Sequence, residues 1–237
     1  MKKIISLLVV LLFSCALAAA DIHIRTKSHT DAFTVMGQSQ PEKNEITEQW
    51  IGEDKFASHS QDQSIIIDTK KNLLYLIDHK DKSYLETSLP LDLSKLVPPE
   101  MAQMMAMMKM SVTVKPLGQT KTVGSWQCSG YEVAISMMMM PLKMTVWAST
   151  DVPFNVDQFL DKFYSPVLQL MMRVDDASLA EIRKIKGYWI AYEQTGEVMG
   201  AKIRSTGETI EIRKETAPAS AYSVPAGYQK TDKLKMR

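Results

Sequence analysis

Residues 64–87 read SIIIDTKKNLLYLIDHKDKSYLET, three short apolar runs parted by two polar clusters. Ile65-Ile66-Ile67-Asp68, Leu73 to Asp78 and Ser83 to Thr87 have the length and the β-branched or aromatic content of strands. Between them, Lys70-Lys71-Asn72 and His79-Lys80-Asp81-Lys82 read as turns. A three-stranded antiparallel meander is expected here, and with it a sheet as the dominant architecture.

Working outward, the same period-2 texture recurs. Tyr131, Val133, Ile135 and Met137 share one strand face, and Leu142, Met144, Val146 and Ala148 share a face of the next, a hairpin turning around Met138 to Pro141. Tyr188 to Gln194, Glu197 to Arg204 and Glu208 to Lys214 form a second expected meander, with turns at Thr195-Gly196 and Ser205-Thr206-Gly207. Earlier strands are expected over Ile22 to Lys27, Phe33 to Met36 and Ile46 to Phe56. Three helical patterns interrupt them. Pro98-Pro99-Glu100 can open a helix through Met101 to Lys109, since proline is tolerated in a first turn. Asn155 can cap a longer helix whose apolar stripe is Val156, Phe159, Leu160, Phe163, Tyr164, Val167, Leu168 and Met171. Ser178 and Glu181 have capping-box spacing ahead of a short helix over Leu179 to Ile185. The expected fold class is α+β, an antiparallel sheet with one apolar face covered by helices, in a single domain over residues 21–237.

The first twenty residues read as an export signal: Lys2 and Lys3, an apolar run from Ile4 to Phe13, and Ala18-Ala19-Ala20 ahead of Asp21. No later run approaches the roughly 18 apolar residues of a membrane span. The expected location is the periplasm or the exterior. Leu12-Phe13-Ser14-Cys15 partly matches a lipoprotein processing site, so a lipid anchor on Cys15 is the alternative. Removing residues 1–20 takes away two lysines and moves the formal charge from +1 to −1, which implies no broad attraction to nucleic acid. Cys128 is then the only cysteine, without a disulfide partner, and reads as a small buried hydrophobe.

Seventeen methionines cluster unevenly. Met101, Met104, Met105 and Met108 follow the i, i+3, i+4, i+7 spacing of one helix face, while Met138, Met139 and Met140 occupy a hairpin tip that normally holds Gly, Asn or Asp. Core packing, an adaptable apolar binding surface and Cu(I) ligation are three readings of the helix cluster. Copper is disfavoured because His23, His29, His59 and His79 are scattered in sequence and none stands near either cluster. No GxSxG, HExxH, CxxC, Walker or GxGxxG motif occurs, so neither an enzyme nor a cofactor or resident metal is expected.

The run GQTKTVGSWQCSGYEV at residues 118–133, then SVPAGY at 223–228, resembles an exported bacterial family known as domain of unknown function 4412. Ile67-Asp68, Leu76-Ile77-Asp78 and Lys82-Ser83-Tyr84 are similar to it as well. That family is grouped with the LolA/LolB-like lipoprotein carriers. The resemblance implies a curved antiparallel sheet, an incomplete half β-barrel, closed by helices over an apolar cavity. It implies no activity and carries over no ligand-binding residue. The expected role is a non-catalytic envelope protein that binds an apolar small molecule, an acyl chain or the lipid anchor of an envelope lipoprotein, with peripheral membrane contact left open. Met101, Met104, Met105, Met108, Phe159, Phe163 and Met171 are the candidate pocket or lid residues, and Met138, Met139 and Met140 the candidate partner contact. A protein-interaction module with a filled core is the alternative, and a Met-rich copper binder a further one.

Overall fold

The computed structural model describes residues 20–35, 37–90, 96, 110–137, 140–171, 174–198 and 200–232. The first meander is β4 (Lys43–Ile51), β5 (Lys55–His59), β6 (Gln63–Asp68), β7 (Leu73–Asp78) and β8 (Ser83–Ser88). The second is β9 (Met110–Val123), β10 (Trp126–Met137), β11 (Met140–Ser149), β12 (Tyr188–Val198) and β13 (Ala201–Glu215). Between the two lies β1 (Asp21–Thr30), antiparallel to β4 on one side and to β13 on the other. With β14 (Gln229–Thr231) added in parallel to β8, the result is one curved sheet of 12 strands, not closed into a barrel. A separate hairpin joins β2 (Phe33–Val35) to β3 (Gln38–Gln40). Of the described residues, 61% are in strands and 14% in helices, so the helices described are accessories to the sheet.

The opening stretch folds as its pattern predicts, through the same turn used twice. Asp68 Oδ1 accepts the Lys71 N–H at 2.9 Å and Asn72 closes the turn at φ 54°; Asp78 Oδ1 accepts the Asp81 N–H at 2.9 Å and Lys82 closes at φ 47°. An Asp that ties the backbone three residues on is what starts such a turn.

Two strand expectations are corrected, both through glycine. The run Ile46 to Phe56 is two strands, because Gly52 turns the chain and its N–H donates to the Lys55 carbonyl at 2.8 Å. Conversely, Gly196 and Gly207 do not mark turns; β12 and β13 run straight through them. Each glycine lies opposite a large side chain, and a Cβ would sit 2.1 Å from Leu142 Cδ2 at Gly196 and 2.2 Å from Tyr192 Cε1 at Gly207. The glycines make room for a neighbour to lie across the backbone.

The helical connection between β11 and β12 opens as expected. Asn155 Oδ1 accepts the Gln158 N–H at 2.9 Å ahead of α1 (Val156–Phe159). The helix is not uniform, however: Leu160–Tyr164 is a π turn leading into α2 (Ser165–Met171), and the Ser165 N–H reaches back to the Leu160 carbonyl. Pro166 has no N–H, and in an α-helix its ring would press on the preceding turn; widening that turn accommodates it. The stripe splits in consequence, Val167 packing with the first meander and Leu168 with the second. The third helix, α3 (Asp176–Ile182), is capped by Asp175, which accepts the Ser178 N–H at 2.8 Å. The expected capping box is therefore corrected: Ser178 Oγ and Glu181 Oε2 instead accept the Val112 and Val114 N–H groups of β9, at 3.1 and 3.0 Å. Residues 101–109, where the methionine-bearing helix is expected, lie outside the described residues.

The helices cover one face of the sheet. Under α1 the core gathers Ile24, Phe56, Ile67, Leu74, Phe159 and Phe163, and under α3 it gathers Val112, Val133, Val146, Leu179 and Ile182. On the opposite face, the C-terminal segment packs Ala221, Tyr222 and Tyr228 over Trp50, Ala57, Ile66 and Ile77.

Candidate functional site

A cavity of about 210 Å³ lies between α1 with its π turn and the strands beneath. Val156, Phe159, Leu160 and Tyr164 form its roof; Thr47 and Gln49 of β4 and Tyr188, Trp189 and Tyr192 of β12 are among its walls. The roof residues repeat at helical spacing and face down together. The walls depend on a bulge: the β11–β12 register shifts between Trp147 and Ala148, and three consecutive residues, Tyr188, Trp189 and Ile190, reach the cavity. Tyr188 donates its O–H to Gln49 Oε1 at 2.7 Å, and its ring meets Phe159 at 6.2 Å in an edge contact. Burial, with Tyr164 adding to it, pushes the Tyr188 phenol far up; burial raises Tyr164 and Tyr192 too.

Two ion pairs fix the roof. Lys162 Nζ donates to Asp54 Oδ1 at 2.7 Å and to the Glu53 carbonyl in the β4–β5 turn, and Arg183, just past α3, pairs with Asp161 at 2.6 Å.

The expected site residues distribute unevenly. Phe159 lines the cavity. Phe163 points elsewhere, stacking on Phe56 at 5.8 Å and lining a second hollow of about 330 Å³ with Leu89, Pro90 and Val167. The two hollows share no lining residue. Met171 ends α2 and Met140 begins β11, and their side chains are outside what is described; Met101, Met104, Met105, Met108, Met138 and Met139 lie outside the described residues altogether. Gln49, Tyr188, Trp189 and Tyr192 were not anticipated.

A third hollow, of about 780 Å³, is an open trough whose lining includes Lys27, His29, Trp147, Glu193 and Glu208. Several of its charged and polar side chains are paired. Lys27 pairs with Glu208 at 3.3 Å, Glu193 with Arg204 at 2.8 Å, His29 with Asn44 at 2.9 Å, and the Lys121 ammonium sits 4.2 Å above the Trp147 ring. The charged side chains of the trough are thus engaged with neighbours.

Two of the histidines scattered in sequence, His59 and His79, meet in space. Ser64 Oγ lies 2.9 Å from His59 Nδ1 and 2.7 Å from His79 Nε2; His59 Nε2 is 2.9 Å from the Ala221 carbonyl and His79 Nδ1 is 3.0 Å from the Tyr228 hydroxyl. The proton directions follow from the carbonyl, which only accepts. His59 Nε2–H donates to it, neutral Nδ1 accepts from Ser64, Ser64 accepts from His79 Nε2–H, and His79 Nδ1 accepts from Tyr228. Burial holds the His59 imidazole below its ordinary range, the Ala221 carbonyl partly opposing this. Ser64, 2% exposed, is a strut for the C-terminal segment with no route to a substrate. Among the described residues no three His, Cys, Asp or Glu side chains come together to hold a metal ion.

No curated protein matches the chain. The profile of the family described as domain of unknown function (DUF4412) covers residues 28–228, from within β1 to the Tyr228 that closes the histidine relay, and the chain belongs to that family.

Proposed function

We propose that this chain is a non-catalytic binding protein of the cell envelope that takes an apolar group into the cavity beneath α1. The observation that carries the reading is the cavity itself, an aromatic-walled space roofed by a helix and tethered on both flanks. A curved, open sheet with helices packed on one face is in keeping with a LolA/LolB-like carrier. At about 210 Å³ the cavity is smaller than the roughly 300–1,000 Å³ that encloses a drug-sized ligand, so it suits a small molecule or the tip of a larger one better than a whole lipoprotein anchor. Residues 1–20 act as the export signal, with the periplasm or exterior as destination and lipid attachment at Cys15 as the alternative. Among the described residues no helix is long and apolar enough to cross a membrane. The close packing of Phe56, Phe159 and Phe163 favours the rival reading, a filled-core interaction module.

Native mass spectrometry on protein released from the envelope without detergent tests this. An apolar small molecule is expected to accompany the wild type and to be missing from Leu160→Trp, which fills the cavity. A bare protein mass for both would overturn the binding role in favour of the interaction module. The same spectrum gives the N-terminus, Asp21 or a lipidated Cys15.

A further inference from the structure

We propose, building on the reading that the cavity beneath α1 is a ligand site, that its occupant is one uncharged ring of benzene-to-indole size bearing a single small hydrogen-bonding group. Volume sets the scale. An apolar cavity of about 150 Å³ holds benzene, and this one, at about 210 Å³, admits a ring with a short substituent. An acyl chain is poorly served beyond that: the hollow behind Phe163 shares no lining residue with this one, and where the cavity meets the trough, at Ser28, Tyr192 and Gly207, the lining turns to the charged side chains of Lys27, Glu193 and Glu208.

Charge sets the class. Among the described residues no Asp, Glu, Lys, Arg or His lines the cavity, so a carboxylate or ammonium inside it would lose its hydration and gain no charged partner. The walls favour aromatics over aliphatics: Phe159 and Tyr188 already meet edge to face, and Trp189 stands beside them, an arrangement that accepts a further ring at the same spacing. The polar group is also provided for. Gln49 spends its Oε1 on Tyr188, and among the described residues neither its Nε2 hydrogens nor the Tyr164 hydroxyl meet a protein partner. A hydroxyl or carbonyl on the ring satisfies them.

The test is calorimetric titration of the purified protein with benzyl alcohol, benzoate and octanoate, which separate ring from chain and neutral from ionised. Benzyl alcohol is expected to bind one to one, at least tenfold tighter than either anion. Both Leu160→Trp and Val156→Phe, the latter at a half-exposed position, are expected to weaken it at least tenfold while unfolding cooperatively. Benzoate or octanoate binding as well as benzyl alcohol, or benzyl alcohol failing to bind, overturns the ring assignment. An acyl compound found in the native spectrum together with no benzyl alcohol binding overturns the ring and leaves the binding role standing; a bare mass together with no binding removes both.

Discussion

His59 illustrates how one side chain couples the fold to pH. Its imidazole titrates at about 6.5 when unfolded but lower in the fold, where burial and the neighbouring His79 disfavour the cation, against the opposing pull of Ala221 and Glu48. As pH falls below about 6.5 the unfolded chain gains a proton that the folded chain refuses, so stability is full above that pH and declines beneath it. His29 acts in the opposite sense, its pKa being raised by Asn44 and Asp31, but it lies at the surface, where solvent screens the effect. The comparison of wild type with His59→Phe isolates the first effect: urea unfolding between pH 8 and 5 should show a flatter pH dependence in the variant. Its stability at pH 8 should be lower by about 1–3 kcal/mol, because Ser64 and the Ala221 carbonyl lose their partner. None of this was legible in sequence, since His59, His79 and Tyr228 are brought together only by strand pairing and the returning C-terminus. The burial of Cys128, 1% exposed, was legible, because a lone cysteine on an alternating strand has little else to do.

Among the elements, α3 serves an unexpected client. β9 is an edge strand among the described residues, and unpaired edge N–H groups invite another chain to add. Ser178 and Glu181, one helical turn apart, match the spacing of Val112 and Val114 along the strand and satisfy both. Farther along the same edge Lys115, Pro116 and Lys121 do the blunting. Ser178→Ala leaves the buried Val112 N–H without a partner and should cost about 1–3 kcal/mol in urea unfolding. Adding Glu181→Ala should bring concentration-dependent association in analytical ultracentrifugation, which Ser178→Ala alone should show less. The spacing of Ser178 and Glu181 was noticed in sequence but assigned to the helix's own start. Both readings fit the same two residues, and only the position of β9 decides between them. The π turn was equally hidden, for the stripe from Val156 to Met171 is continuous as a pattern and Pro166 breaks it as geometry.

At the scale of the whole molecule, local pairings were readable and the long-range one was not. The first meander announces itself through alternation and turn residues; in the second the alternation is readable, but Gly196 and Gly207 suggest turns where the strands continue. Nothing in the sequence says that β1 is the seam between them, with Thr26 hydroxyl against Thr209 hydroxyl at 3.4 Å across 183 positions. The cavity belongs to that seam, since its walls come from both sides of it. Gly207 lies there, in β13 directly across from Tyr192, with no side chain to keep the tyrosine ring off the backbone. The hollow beneath α1 is thus the shadow of an omitted methyl group. Gly207→Ala should lift the Tyr192 ring toward the roof and close the space, abolishing ligand uptake in the titration while the sheet keeps its pairing. The smallest substitution in the strand would act as a stopper, and a relative with alanine at this place would have the same architecture around a sealed interior.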